Sequence, residues 1–261
     1  MGTSFSGGFS GQPAWQKGAS PGMFGTDVLD GLLTGMDEYR RRIEQRPRRA
    51  RSLGPAAVGA FKRLDDEELM ERLTGFPAAC VVLGKQPREP RKVDRLTEVV
   101  KRGPGFPAGA LPSLTDEMLL QNGRKPVLGP ANPTEDVRLA TLRTTGLRGR
   151  GGDVVPALHT KMVLLGELWW HDETTLGRAE DVVEFTPHRL WVGSANATAR
   201  SRGQWEFGLW ADDRALLLRA QQFLVHVLAR SDDWAGTGAP APGTASGSGR
   251  SPGQDAPGPG S

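Results

Sequence analysis

Leu158-His159-Thr160-Lys161, Gly193-Ser194-Ala195-Asn196 and Glu206-Phe207-Gly208 are three pieces of one stretch, residues 158–210, and together they carry the groups that handle a phosphate. An imidazole can attack phosphorus, an ammonium is a point charge for phosphate oxygens, and a hydroxyl and an amide supply neutral donors. Val155 to Leu165 and Arg189 to Val192 read as short apolar strands, and Gly193 opens a turn where backbone approaches an anion. The set needs no metal.

In this order the three pieces resemble the signature of the phospholipase D superfamily: His-x-Lys, then Gly-Ser-x-Asn, then a Glu. The resemblance implies an α/β fold, a phospholipase D-like mixed β-sheet flanked by helices. It also implies a metal-independent phosphodiesterase with no cofactor. His159 would attack phosphorus to give a covalent phosphohistidine, and a second histidine would protonate the leaving alcohol and then activate water. Lys161, Ser194 and Asn196 would bind the nonbridging oxygens, and Glu206 would orient a His159 ring.

Only one such motif is present. His171, His188 and His226 are not followed two residues later by lysine, and no histidine precedes residue 150. Single-motif relatives pair two chains about a twofold axis, so the implied assembly is a homodimer whose two His159 side chains divide the roles. The chain departs from the family twice. Where the family carries an Asp after the Lys there is Gly166, with Glu167 the nearest acid. The interval before Gly193 is also long, and Leu168 to Pro187 reads as an inserted excursion holding Trp169, Trp170 and His171. His171, Asp172 and Glu173, adjacent on a loop, cannot easily converge on one ion, so no metal site is expected. Trp169 and Trp170 read as core or dimer packing, with a pocket cover or a stacking surface for a base as the alternative.

The 261 residues divide by composition into a disordered leader (1–22), a helical and basic segment (23–62), the phospholipase D-like domain (63–234) and a disordered tail (235–261) rich in Gly, Pro and Ser. One cysteine excludes an intramolecular disulfide framework and a cysteine-rich zinc site, and Cys80, inside an apolar run, reads as a buried hydrophobe. With no signal peptide pattern and no run of eighteen apolar residues, a cytoplasmic protein without a transmembrane segment is expected.

Apolar spacing predicts helices over Asp27–Gln45, Asp65–Phe76, Arg91–Lys101 and Thr115–Gln121, the second capped by Asp65. A buried strand is predicted at Ala78–Leu83 and an alternating one at Asp136–Leu142. The segment before Pro133 reads as a lid or a surface loop. The last helix runs from an Asp212 cap through Arg230, with Leu216, Ala220, Phe223, Leu224, Val227 and Leu228 as its apolar face and His226 on the polar side. Arg143, Arg148 and Arg150, in a Gly-rich loop before the His-x-Lys strand, are candidates for holding a polyanionic substrate, or belong to a plain flexible loop.

Net charge is +3 with pI near 9.3, and seven arginines fall between Arg40 and Arg51. They read as a solvated surface or as contacts to a phosphate backbone. The motif specifies the bond and leaves the molecule open. A nuclease cleaving DNA ranks first, given the single-motif dimeric layout, the arginine clusters and the lack of a membrane-binding element. A phospholipid hydrolase or phosphatidyl transferase ranks second. A non-catalytic nucleic-acid-binding or assembly protein with a weakened site ranks third, with Gly166 as its main argument.

Overall fold

The computed structural model describes residues 22–47, 50–84, 90–114, 117, 138–145, 157–175 and 178–234. The expected leader up to residue 21, Arg48, Arg49, nearly all of the 115–121 helix, Arg148, Arg150 and the tail from residue 235 lie outside these.

The chain runs β1 (Gly22–Gly25), α1 (Val28–Glu44), β2 (Ser52–Phe61), α2 (Glu67–Thr74), β3 (Ala78–Gly84) and α3 (Pro90–Arg102), then β4 (Phe106–Pro107) and β5 (Arg138–Leu139), which pair with each other. β6 (Leu142–Thr145), β7 (Lys161–Thr175), β8 (Arg178–Gly193), β9 (Glu206–Ala211), α4 (Arg214–Ala229) and β10 (Asp232–Asp233) follow. Eight strands form one mixed sheet in the order β1-β9-β8-β7-β2-β3-β6-β10. β2, β3 and β6 are mutually parallel, and the remaining neighbours are antiparallel.

Helices cover both faces, and the central strands alternate between two cores. Ala57, Phe61, Ala79, Val81 and Leu83 face the core shared with α1, α2 and α3. Ala56, Val58, Ala60, Ala78, Cys80 and Val82 face the core shared with α4. Burial on both faces is why β3 reads as an unbroken apolar run. Cys80 is fully buried, which pushes its thiol up to about 12.

β2 has the same double burial, yet its sequence, SLGPAAVGAF, is mostly small residues and gives no strand pattern. Residues on both sides of position 62 therefore share one sheet and one core, with α1 burying Val28, Leu32, Met36, Tyr39 and Ile43 as its spacing predicts.

The excursion from Leu168 to Pro187 is not a loop. It is the distal part of a long β7–β8 hairpin, in which Trp169 pairs with Glu184, Trp170 with Val183 and His171 with Val182. Gly166 sits at a bulge in this hairpin, where an added Cβ would lie 2.4 Å from the Thr186 carbonyl oxygen and 2.5 Å from the Phe185 ring. The close approach of β8 excludes a side chain there. Glu167, well along β7 from Lys161, is buried and accepts from the Ser52 hydroxyl.

Three local expectations shift. The α2 cap is Asp66, whose carboxylate accepts from the Leu69 N–H at 3.0 Å, while Asp65 accepts from the Ala199 N–H. The α4 cap is Asp213, accepting from the Leu216 N–H at 2.8 Å. α4 buries Leu217, Ala220, Leu224, Val225 and Leu228 and leaves Leu216 and Phe223 exposed, because the sheet meets a face rotated from the one the spacing suggested. Among the described residues no helix is long and apolar enough to cross a membrane.

Candidate active site

Strand direction brings the motif together. The carboxyl ends of β2 and β8 and the amino ends of β7 and β9 lie on one edge of the sheet, since Phe61 pairs with Lys161, Met162 with Val192, and Gly193 with Gly208. His159 precedes β7, Lys161 begins it, Ser194 follows β8 and Glu206 begins β9. Alternation along β7 and β9 then directs Lys161 and Glu206 to the same face, the one carrying α1.

Ser194 is held by three bonds. Its hydroxyl donates to Glu206 Oε2 at 2.5 Å and accepts from the Phe207 N–H at 2.9 Å, and its own N–H donates to the Phe207 carbonyl at 2.9 Å. Gly193 permits this seam, because a Cβ there would lie 2.5 Å from the same carbonyl oxygen. Asn196 sits on a turn tied to the exit of β2: the Ala197 N–H donates to the Arg63 carbonyl at 3.1 Å, and Ala197 forms a bridge with Leu64. The Asn196 Oδ1 is buried without a hydrogen-bond partner among the described residues. An unmet acceptor of this kind costs about 1–3 kcal/mol, so a donor arriving from a ligand or a second chain is favoured there.

Lys161 Nζ lies 3.3 Å from His159 Nδ1. An ammonium only donates, so Nδ1 accepts and the ring proton sits on Nε2. The His159 ring is exposed, and its pKa is held below the ordinary imidazole value by Lys161 first, then Lys62, then slight desolvation. Lys161 is itself held below the usual lysine range by burial and by Lys62, against the attraction of Glu206. Both neighbouring ammonium groups favour the neutral imidazole, the state a nucleophile needs.

His159, Lys161, Ser194, Asn196 and Glu206 converge on one edge, but Glu206 holds Ser194 and not the imidazole of its own chain. Arg143 is elsewhere. It lies in β6, three strands from β7 and on the opposite face from Lys161, and only a few per cent of it is exposed. Its guanidinium donates to the Ser231 hydroxyl at 2.6 Å and carbonyl at 2.5 Å and pairs with Asp233. It ties β10 to the sheet edge and is not free for substrate. Among the described residues no cluster of three or more His, Cys, Asp or Glu forms a metal site.

Solved structures of similar fold include the following two. NucT from Helicobacter pylori shares 10% identity over 82% of this chain and 98% of its own, with a TM-score of 0.43. Polyphosphate kinase from Porphyromonas gingivalis shares 10% over 79% of this chain and 26% of its own, with a TM-score of 0.41. No family model and no curated protein matches the sequence. Similarity of this degree adds no argument about chemistry, which rests on the residues themselves.

Reading by motif passed over Lys62. It follows β2, whose last pair, Phe61 with Lys161, puts the exit of β2 beside the entry of β7. The signal available in the sequence was only a basic pair, Lys62-Arg63, at the end of an Ala- and Gly-rich segment.

Proposed function

We propose that the chain is a metal-independent phosphodiesterase of the phospholipase D type that cleaves DNA as a homodimer. The observation that carries this is the His159–Lys161 contact at 3.3 Å on the strand edge that also presents the Ser194–Glu206 pair.

A bound phosphodiester draws the Lys161 ammonium from Nδ1 onto a nonbridging oxygen. The tautomer protonated at Nδ1, held by a Glu206 carboxylate, then leaves the Nε2 lone pair to attack phosphorus. The N–P bond forms as the P–O bond to the leaving alcohol breaks, and the second chain's His159, which takes up a proton from solvent when the phosphodiester anion binds beside it, gives that oxygen its proton. The same second imidazole then takes a proton from water, whose oxygen displaces Nε2 and regenerates His159. Lys161 and Asn196 hold the charge that develops on the nonbridging oxygens.

The two-chain arrangement is supported by the exposed apolar rim. Phe24 and Phe207 are paired across β1 and β9 and exposed, and Trp205 beside them is almost fully exposed, next to a site that holds one imidazole.

The test is incubation of wild-type and His159→Ala protein with single- and double-stranded DNA in excess chelator. Cleavage by wild type alone is expected. Cleavage by neither would overturn the nuclease reading, and hydrolysis of phosphatidylcholine vesicles by wild type alone would move the same chemistry to a lipid.

A further inference from the structure

The His-x-Lys motif supplies one ammonium, but the fold brings a second to the same edge. Lys62 follows Phe61, the last residue of β2, which pairs antiparallel with Lys161, so the chain leaves β2 beside the point where it enters β7. Residues 62 and 158 meet again over β3: a Cβ at Gly84 would lie 2.9 Å from the Lys62 carbonyl oxygen and 3.4 Å from that of Leu158. On its other side the exit of β2 is stitched to the Gly-Ser-Ala-Asn turn, with the Arg63 carbonyl accepting from Ala197 and the Asp65 and Asp66 N–H groups both donating to the Ala197 carbonyl. Lys62 is thus bracketed by the histidine strand and by the Asn196 turn. It is half-buried.

Two half-buried ammonium groups close to each other repel, because burial weakens the screening by water. An anion between them removes that cost. We infer that Lys62 is a phosphate ligand of the active site, holding a nonbridging oxygen of the same phosphoryl group as Lys161, so that one chain presents two ammonium groups flanking one imidazole. This rests on the phosphodiesterase reading and adds to it a ligand that the His-x-Lys and Gly-Ser-x-Asn pattern does not contain. The electrostatics agree, since Lys62 acts on both His159 and Lys161. Arg63 carries the same charge one residue away, with its side chain exposed and its backbone on Ala197, and it serves as the control.

The test is an NMR titration of the His159 ring, assigned with His159→Ala, in the full chain with inorganic phosphate as the probe. Wild type should bind phosphate with a rise in the His159 pKa. Lys62→Gln should weaken phosphate binding about tenfold, the loss of one charged hydrogen bond, and should raise the His159 pKa of the phosphate-free protein. Lys62→Arg should restore both, and Arg63→Gln should leave both within about twofold of wild type. Lys62→Met, which keeps the apolar stem, gives a second reading should the Gln variant fold poorly. Equal effects of Lys62→Gln and Arg63→Gln would overturn the inference, since a general field and not a ligand would then be responsible. So would phosphate affinity unchanged by Lys62→Gln, or no phosphate binding by wild type. Lys62-dependent phosphate binding by a protein that cleaves nothing would sink the phosphodiesterase reading alone. DNA cleavage with kcat/KM unchanged in Lys62→Gln would sink the Lys62 role alone.

Discussion

Placing a side chain at Gly166 tests whether the hairpin geometry or the chemistry excludes the acid expected there. The new Cβ would lie 2.4 Å from a backbone oxygen of β8 and 2.5 Å from the Phe185 ring, where ordinary contact begins at 3.4 Å. One of the two must yield by about an ångström, and neither can do so freely. The oxygen belongs to Thr186, which is paired with Glu167, and Phe185 is buried edge-to-face on Phe106 at 5.7 Å. Overpacking of this kind costs about 1–3 kcal/mol. Gly166→Ala should therefore lose about 2 kcal/mol, and Gly166→Asp more, because its carboxylate is also desolvated. With a urea slope of about 2 kcal/mol/M, the Ala variant's midpoint, followed by tryptophan fluorescence, should fall by about 1 M. The Asp variant should gain no activity. A Gly166→Ala midpoint equal to wild type, or an Asp variant more active than wild type, would refute the packing account.

Mixing wild-type and His159→Ala chains under conditions that exchange protomers should make activity fall as the square of the wild-type fraction. A linear fall would mean that each chain works alone. Lys161→Gln should raise the His159 pKa from below 6.5 toward that ordinary value, because the largest charge opposing the imidazolium is gone; NMR titration reads it directly. In wild type, the sign of this shift places the acid limb of kcat/KM below pH 6.5, and the limb should move up in the variant. Arg143→Met should destabilise the fold by about 3 kcal/mol, since it strips charged hydrogen bonds from a buried group, while KM for DNA stays unchanged; a raised KM at wild-type stability would restore Arg143 as a substrate ligand.

Local periodicity and the ordered motif were enough to read α1, α2, α3 and β3, because each carries its apolar residues at its own repeat. They also named His159, Lys161, Ser194, Asn196 and Glu206 as one group, since the spacing of chemical types is a property of the chain itself. Other features depended on partners far away in sequence. β2 carries too few large residues to announce a strand, and it is one because β3 and β7 supply hydrogen bonds on both sides. The 168–187 segment looked like a loop because its acids and tryptophans hide a pairing that only the facing strand completes. Arg143 looked available until Ser231 and Asp233, some ninety positions on, returned to bind it. Lys62 looked like an ordinary basic residue until the β2–β7 pairing brought the end of β2 to the start of β7. A side chain's type is written in the sequence, but its availability depends on what the folded chain packs against it.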